Sequence, residues 1–486
     1  MRILHVASEV APFAQSGGLA DVLSGLPAAL VDSHGMTAGV VVPLYRGVEA
    51  RLAAAGVPLD DGVPLQLEVG PSTFQAQLRI AQVGRVRYGF VDCVPLYDRA
   101  GTLYGPGGTA EFSDNHVRYA ALGKAALAPA TSAALLGGPP DVVHAHDWQG
   151  APTAIYARAL GVRAALVVTI HNLAFRGIYP KQTMVELGLP WSMFTANQLE
   201  FYDQLCLLKG GLACADAVTT VSPSYAREIL TPERGEALDG FLRWEVRRLV
   251  GITNGIDTAA WDPATDAELP ARYSREELAG KATCRTQLLR EFGLPVGIDQ
   301  PVIGVIARMA DQKGLDLIAD IVPDLNRIGA RLVVLGSGEA HLEDRFRWLA
   351  DVFRDHVAVR IGFDLALSRR IYAGSDLFCM PSRFEPCGLG QMYAMRYGSI
   401  PVVHAVGGLR DTVRDPGDAE LARGRGTGVR FDAPTPLALA GALHRAVALF
   451  RDDHARSALR HAAMSRDSSW SASAQQYVQL YRSLRP

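Results

Sequence analysis

The sequence predicts an α/β protein built from two open domains with parallel sheets, and three observations support this fold class. The chain has 486 residues, which suits two large α/β domains. Two distant segments each have the pattern of a buried strand, a polar or glycine-rich loop and a helix. Further short β-branched runs alternate with helical stretches, the pattern of βαβ units and hence of parallel sheets.

The two opening segments lie near the start of the chain and just after its middle. The first predicts a strand over 3–7, a loop containing Gly17 and Gly18, and a helix over 19–30. The second predicts a strand over 301–307, a loop over 308–313, a helix over 315–328 and another strand over 331–336. Each segment therefore predicts the first βα unit of its own domain.

Five further short runs predict more strands, and each leads into a polar loop. They cover residues 142–145, 165–170, 217–221, 376–380 and 400–403. Ligands of open α/β sheets bind at the carboxyl ends of the strands, so functional residues should follow these runs directly.

The domain boundary is expected near the Asn254-Gly255 turn, which follows a strand-like run. The predicted domains are 1–253 and 254–466, followed by a C-terminal segment, 467–486, with an amphipathic stretch at 472–484. Two similar domains would enclose a cleft, which is a favoured place for a ligand.

Composition excludes several classes of protein. Hydrophobic residues make up 49% and charged residues 20%, so the chain is not intrinsically disordered. A net charge of -2 disfavours a broad basic face for nucleic acid. The six cysteines lack C-x-x-C or zinc-finger spacing, which predicts reduced thiols. The N-terminus lacks a signal-peptide pattern and no uncharged apolar run could span a bilayer, so a cytoplasmic location without membrane contact is expected.

Three motifs in the first half of the chain offer polar groups at predicted loops. Gln15 to Asp21 places Gly17 and Gly18 before a helix, where main-chain N–H groups suit a diphosphate, although a plain tight turn is the alternative. His144 to Trp148 places Asp147 at a strand end, where it could orient a sugar hydroxyl. A metal site at the two histidines, or an N-cap with core histidines, remains open there. His171 and Asn172 offer a donor and an amide after the next strand.

Two motifs in the second half offer charge. Arg308 and Lys313 follow a predicted buried strand and could hold a diphosphate, against the alternative of a solvated loop. Glu385 is restrained by Pro386, and Gly388 leaves room for a ligand beside the main chain. Cys387 is interpreted as a packed contact residue because no histidine is adjacent to it in sequence.

Several known nucleotide signatures are missing from the sequence. There is no Asp-x-Asp pair to hold Mg²⁺ against a diphosphate, which favours a mechanism without metal or cofactor. A Walker A sequence is also missing, and no Gly-x-Gly-x-x-Gly follows the first predicted strand.

Seven motifs in order along the chain carry a family resemblance. They are G-G-L-A-D at 17–21, H-A-H-D-W at 144–148, T-I-H-N-L at 169–173, V-S-P-S-Y-A-R-E at 221–228, N-G-I-D at 254–257, R-x4-K-G-L-D at 308–316 and P-S-R-F-E-P-C-G-L at 381–389. The chain thereby resembles, over essentially its whole length, the bacterial glycogen synthases, a family shared with plant starch synthases.

The resemblance implies the GT-B architecture, in which two Rossmann-like domains face each other across a deep cleft and a C-terminal helix crosses back to the N-terminal domain. It implies that glucose passes from ADP-glucose to the non-reducing end of an α-1,4-glucan such as glycogen, with retention at the anomeric carbon.

The resemblance also implies roles for individual residues. Arg308 and Lys313 match the pair that stabilises the departing ADP phosphates, and Glu385 matches the carboxylate that contacts the donor glucose. Asp147 and His171 match polar groups around the reacting glucose. The expected substrate-binding residues are Gln15, Gly17, Gly18, Asp21, Tyr97 (near the acceptor), Asn172, Asn254, Gln312, Phe363, Cys387, Gly388, Leu389 and Gly390.

Three positions depart from the family pattern. Gln15 stands where the family has Lys, Gly390 where it usually has Thr, and Phe363 where it often has Tyr against the adenine. The first departure removes a cation. Three alternatives to the implied activity stay open. They are a related retaining transferase using UDP-glucose or another acceptor, a glucan-binding paralogue with weakened catalysis, and a nucleotide-sugar 2-epimerase, which lacks the motifs around Asp147 and Glu385.

Overall fold

The computed structural model describes residues 1–108, 110–297, 300–417 and 423–484. The chain divides into two compact units, Met1–Gly255 together with Trp470–Pro486, and Ile256–Ser469. The chain thus leaves the first unit immediately after the Asn254-Gly255 turn and returns to it for its last helix. Both changes of unit fall slightly later than the expected positions after residues 253 and 466.

The strands of the first unit form a large sheet and a small one. Their bounds are β1 Arg2–Val6, β2 Thr37–Pro43, β3 Val63–Val69, β4 Ser72–Val83, β5 Val86–Asp92, β6 Val142–His146, β7 Ala165–Ile170, β8 Ile178–Pro180, β9 Glu200–Phe201, β10 Gln204–Cys206, β11 Ala217–Thr220 and β12 Leu249–Gly251. The large sheet has the order β12-β11-β7-β6-β1-β2-β5-β4-β3, and the small sheet has the order β8-β10-β9.

Burial explains the two kinds of pairing in the large sheet. The strands from β12 to β5 are parallel, and central strands such as β6 are buried along their whole length because helices cover both faces. β3 and β4 pair antiparallel at the edge and alternate buried with exposed residues, as expected of strands with one face in solvent. The sequence analysis missed this antiparallel edge.

Helices surround the sheets of the first unit. They are Gly18–Asp32, Val48–Ala54, Val94–Tyr97, Asn115–Leu127, Pro129–Leu136, Asp147–Ala159, Thr183–Glu186, Leu207–Cys214, Pro223–Glu228, Asp239–Trp244 and the C-terminal helix Trp470–Ser483, with a 3-10 turn at Trp191–Met193. The C-terminal helix packs against Gly18–Asp32 and buries Trp470, Tyr477 and Tyr481. Within the described ranges, no helix combines the length and apolar character needed to cross a bilayer.

The second unit has one fully parallel six-stranded sheet. Its strands are β13 Val302–Ile306, β14 Arg331–Gly336, β15 Val357–Ile361, β16 Leu377–Met380, β17 Ile400–His404 and β18 Val429–Phe431. Their order is β15-β14-β13-β16-β17-β18. The helices are Ala279–Glu291, Leu315–Ile321, Leu325–Ile328, Ala340–Val352, Leu365–Gly374, Gly390–Arg396, Gly407–Thr412, Pro436–Arg451 and Asp453–Met464, with 3-10 turns at Asp311–Lys313 and Val322–Asp324.

The continuous helix predicted over 315–328 is wrong. The structure has two short helices, Leu315–Ile321 and Leu325–Ile328, separated by the 3-10 turn Val322–Asp324. Pro323 lies in that turn and has no N–H group to donate, so the α-helical hydrogen-bond pattern stops there.

Each large sheet contains one point where the strand order reverses direction. In the first unit, β1 lies between β2 and β6, and in the second unit, β13 lies between β14 and β16. The loops that follow strands on either side of such a point diverge and leave a crevice at their carboxyl ends. The polar motifs around Gly17, Asp147, Lys313 and Glu385 follow β1, β6, β13 and β16 and therefore lie at these two crevices. The motif around His171 follows β7, the neighbour of β6.

The contact between Gly25 and Trp470 provides a test of the docking of the C-terminal helix. A Cβ atom on Gly25 would lie 2.0 Å from Trp470 Nε1, so Gly25→Ala must displace the indole. We expect the free energy of unfolding to fall by about 1–3 kcal/mol in chemical denaturation.

The matched control is Gly441→Ala, in the middle of the helix Pro436–Arg451, where a Cβ atom meets nothing within 4 Å. That variant should gain up to about 1 kcal/mol from higher helix propensity. Equal effects of the two substitutions would contradict the packing described here.

Candidate active site

In the second unit, two loops from neighbouring strands bring a cation and a carboxylate together. Lys313 follows β13 and Glu385 follows β16, and Lys313 Nζ lies 2.6 Å from Glu385 Oε2. Ser382 Oγ donates to the same oxygen at 3.0 Å. Because the Glu385 side chain is only 8% exposed, both contacts hold its carboxylate in one position. The two predicted catalytic residues of these loops are therefore in direct contact.

Further contacts fix one loop against the other. Arg383 binds the carboxylate of Asp316 with two hydrogen bonds, at 2.7 and 2.6 Å, and lowers the pKa of that carboxyl. Arg383 N donates to Gln312 O at 2.8 Å, and Gln312 Nε2 donates to Phe384 O at 3.2 Å. These bonds hold Lys313 and Glu385 in place from both sides, so the loop pair is preorganised.

Two glycines permit this close approach of main chains. Gly314 has φ +64°, and a Cβ there would lie 2.2 Å from Pro381 O. Gly407 has φ +42°, and a Cβ there would lie 2.0 Å from Glu385 O. No other residue type fits either position without moving the loop that carries Glu385.

The remaining predicted residues of the second unit differ in exposure. Arg308 is exposed, with Nη2 3.5 Å from Gln312 Oε1, so its guanidinium is accessible to an anion. Phe363 is 86% exposed, which leaves its ring free for stacking. Cys387 is buried, in agreement with a packed contact residue. Leu389 and Gly390 form the start of the helix Gly390–Arg396, and the carbonyl of Gly388 accepts from Gln391 Nε2 at 2.9 Å.

In the first unit, Asp147 begins the helix that follows β6 and is held by the end of β7. Its φ is +54°, a strained conformation for a residue with a side chain. Its Oδ1 accepts from His171 N at 2.7 Å and from Asn172 N at 3.4 Å. Burial raises the pKa of Asp147 to about 7, so this carboxyl can bind and release a proton near neutral pH.

The histidines next to Asp147 form a buried chain of hydrogen bonds. His171 Nε2 lies 2.9 Å from His146 Nδ1, and His146 Nε2 lies 3.1 Å from His5 Nδ1. His144 bonds to Tyr481 Oη at 2.7 Å and to Thr169 Oγ1 at 2.6 Å. The histidine cluster thus joins three strands and the C-terminal helix.

This cluster bears on the metal site that the sequence left open. Potential ligand atoms of His5, His144 and His146 lie within 4.8 Å of one another. However, both ring nitrogens of His144 and of His146 already have hydrogen-bond partners. A metal ion would have to displace at least one bond at each, so the arrangement favours core histidines over a metal centre.

The expectation that the glycine loop offers free amides to a diphosphate is wrong for two of its residues. Ser16 N and Gly17 N donate to Glu9 Oε2 at 2.7 and 3.0 Å. The hydroxyl of Tyr104 donates to Glu9 Oε1. A carboxylate of the protein itself thus occupies the place expected for the anion, and burial raises its pKa.

Gln15 and Asp21 lie on either side of this loop. Gln15 is exposed, and its Nε2 is 3.4 Å from Asp21 Oδ2. Burial, followed by the charge of Glu9, raises the pKa of Asp21 to about 6. Gly18 begins the helix Gly18–Asp32. The carboxyls of Glu9 and Asp21, both with raised pKa, therefore lie at this loop, and position 15 supplies no cation to them.

The expected contact between Tyr97 and the acceptor is also wrong. Tyr97 is 1% exposed, its hydroxyl donates to Arg118 O at 2.6 Å, and its ring packs edge-on against Tyr45. It is therefore a core residue that is not accessible to an acceptor. Asn254 is buried at the end of the first unit, and its Oδ1 has no hydrogen-bond partner within the described ranges.

Several functional candidates were not identified from the sequence. Glu9 and Tyr104 belong to none of the motifs, since they contact each other from distant parts of the chain. Ser382 lies within the motif at 381–389, but its contact with Glu385 depends on the local fold of that loop. His5 had a usable signal. His144 and His146 alternate on β6, so they share a face, and His5 pairs with His144 across β1 and β6.

Known protein families and individual proteins are similar to this chain in sequence. Residues 2–244 match the family model of the starch synthase catalytic domain, and residues 300–448 match that of glycosyl transferases group 1. A glycogen synthase of Anaeromyxobacter dehalogenans (strain 2CP-C) is 47% identical over the full length of both chains. A glycogen synthase of Myxococcus xanthus (strain DK1622) is 44% identical, covering 100% of this chain and 99% of that protein.

Two solved structures also resemble this chain. The catalytic domain of starch synthase IV from Arabidopsis thaliana, bound to ADP and acarbose, has a TM-score of 0.89 and 32% identity, with 99% of both chains covered. A sucrose-phosphate synthase from Thermosynechococcus elongatus has a TM-score of 0.58 and 17% identity, covering 99% of this chain and 98% of that one, which is a likeness of fold alone.

The raised pKa of Asp147 predicts a pH-dependent stability. The folded chain keeps the proton up to about pH 7, whereas the unfolded chain releases it near pH 3.8, so stability falls as pH rises between these values. Asp147→Asn cannot ionise and should lack this fall. Above pH 7 we expect it to be more stable than the parent protein by roughly 2–4 kcal/mol in urea unfolding.

The control for this experiment is Asp61→Asn at an exposed position, which should show no such gain. If Asp147→Asn and the parent protein lose stability in parallel between pH 4 and pH 7, the buried carboxyl does not hold its proton as described.

Proposed function

Because the chain belongs to the glycogen synthase family of glycosyltransferases, we propose that it transfers glucose from ADP-glucose to the non-reducing end of an α-1,4-glucan, with retention at the anomeric carbon. The observation that carries the proposal is the preorganised pair of loops at the β13–β16 crevice, with Lys313 2.6 Å from Glu385 and Arg308 exposed in the same loop. The ADP bound to the starch synthase IV structure supports an adenine nucleotide as donor.

In the proposed reaction, the bond between C1 of the donor glucose and the diphosphate oxygen breaks, and its electrons leave with the diphosphate. The acceptor 4-hydroxyl bonds to C1, and its proton passes to the departing diphosphate oxygen. The guanidinium of Arg308 and the ammonium of Lys313 offset the charge that grows on the leaving group. Lys313 also shares its charge with Glu385, so the larger share of this stabilisation falls to Arg308.

The carboxylate of Glu385 is proposed to accept hydrogen bonds from hydroxyls of the donor glucose, since its fixed position suits an orienting role. Asp147 and His171 are proposed to act on the reacting glucose from the first unit. The main chain of 388–390 is proposed to approach sugar and phosphate, and Phe363 to stack on the adenine. Gln312, Asn172 and Asn254 are proposed to complete the substrate contacts.

A donor-competition assay tests the proposal. Purified protein is incubated with glycogen and labelled ADP-glucose or UDP-glucose, and we expect incorporation from ADP-glucose. Arg308→Ala and Lys313→Ala should each lower kcat by about 10²–10³-fold, by analogy with lost oxyanion donors, with the larger loss in Arg308→Ala.

Arg327→Ala is the matched control, because this exposed arginine pairs with Asp324 on the surface and should leave kcat unchanged. Preferential incorporation from UDP-glucose would indicate the related transferase, and incorporation from neither donor would reject the proposed activity.

The glycine loop leads to a second prediction about the donor. In Gln15→Lys, an ammonium would stand next to Asp21, where Gln15 Nε2 now lies 3.4 Å from the carboxyl. We expect the Michaelis constant for the nucleotide sugar to fall roughly fivefold, equivalent to about 1 kcal/mol. Gln15→Met, which removes the amide without adding charge, is the control. An unchanged or higher Michaelis constant in Gln15→Lys would contradict the prediction.

A further inference from the structure

The buried chain of histidines next to Asp147 limits which ring nitrogens can carry a proton. Burial lowers the pKa of His5 and His171 to about 3, and lowers those of His144 and His146 well below the usual value. All four rings are therefore neutral near pH 7. A neutral imidazole has one N–H group and one lone pair, so it donates from one nitrogen and accepts at the other.

His146 is the centre of the chain because both of its ring nitrogens are engaged by other rings. Its Nδ1 faces His171 Nε2 at 2.9 Å, and its Nε2 faces His5 Nδ1 at 3.1 Å. If His146 donates to one neighbour, it must accept from the other. The three rings can therefore have only two arrangements of protons, which run in opposite directions along the chain.

In one arrangement, His171 donates to His146 and His146 donates to His5. The proton of His5 then resides on Nε2, which is buried and has no hydrogen-bond partner in the described part of the chain. In the other, His5 donates to His146 and His146 donates to His171. His5 Nε2 then carries only a lone pair. In proteins, a buried N–H group without a hydrogen-bond partner is rarer than a buried acceptor without one. The second arrangement is therefore favoured, because it leaves a lone pair, and not a buried N–H group, without a partner at His5 Nε2.

We infer that His5 and His146 are positioning residues that fix the tautomer of His171, which carries its proton on Nδ1 and serves as a neutral hydrogen-bond donor to a substrate oxygen. The role of His171 toward substrate rests on the proposed function, whereas its tautomer is a property of the protein alone. In this state His171 donates from Nδ1 and cannot take up a proton there, so it is not a general base.

The adjacent His144 leaves this conclusion unchanged. Its ring stacks on that of His146 with centroids 4.2 Å apart, but its hydrogen bonds go to the hydroxyls of Tyr481 and Thr169. A hydroxyl can donate or accept, so His144 imposes no direction on the chain. It contributes to the burial that keeps the chain neutral.

The direct test is nitrogen NMR of the full-length protein with ¹⁵N-labelled histidine, with the His171 signals assigned by their loss in His171→Gln. We expect protonated Nδ1 and unprotonated Nε2 in His171, unchanged between about pH 6 and pH 8. A proton on Nε2, or an imidazolium in that range, would overturn the inference.

Two variants of His5 separate the proton relay from mere packing. His5→Asn keeps an N–H donor beside His146 and should preserve the His171 tautomer and kcat. His5→Leu removes the donor and should give mixed tautomers and a kcat lowered roughly tenfold, with the Michaelis constant for the nucleotide sugar nearly unchanged. Identical tautomers and kcat in both variants would overturn the positioning role.

These outcomes stay distinct from failure of the proposed function. A parent protein that transfers no glucose would reject the function, yet its His171 tautomer would still decide the inference. If His5→Leu does not fold, the parent spectrum and the kcat of His5→Asn remain decisive, because loss of the tautomer in His5→Asn would also contradict the relay.

Discussion

The contact between Lys313 and Glu385 exists because β13 and β16 are neighbours in a parallel sheet. The two residues are far apart in sequence, and adjacent carboxyl ends bring their loops to a separation of 2.6 Å. Arg383 and Asp316 fasten the loops, and Gly314 allows the main chains to approach. Removing any of these contacts would free the carboxylate and the ammonium to move independently, so the chemistry of the second unit depends on strand order.

The polar groups of the two units differ in charge. The second unit presents cations, with Arg308 exposed and Lys313 beside its carboxylate partner. The first unit removes charge by burial, which raises the pKa of Asp147 to about 7 and keeps His171 neutral. A leaving diphosphate requires the first kind of surface, and a sugar with many hydroxyls suits the second.

The sequence predicted those features that depend on local pattern. Buried strands followed by polar loops located Lys313, Glu385, Asp147 and His171 at strand ends, where the structure has them. Features that depend on distant contacts were missed, because no local pattern announces that Glu9 will accept the amides of the glycine loop. Tyr97 was misplaced for the same reason, since its burial depends on the distant helix that carries Arg118.

The C-terminal helix has a consequence for biosynthesis. Trp470 packs against Gly25, and Tyr481 bonds to His144 in the central part of the first sheet. These residues emerge from the ribosome only after the whole of the second unit has been made. Until these residues are made, the part of the first unit that they cover stays exposed to solvent. The first unit therefore begins before the second unit but is completed only after it.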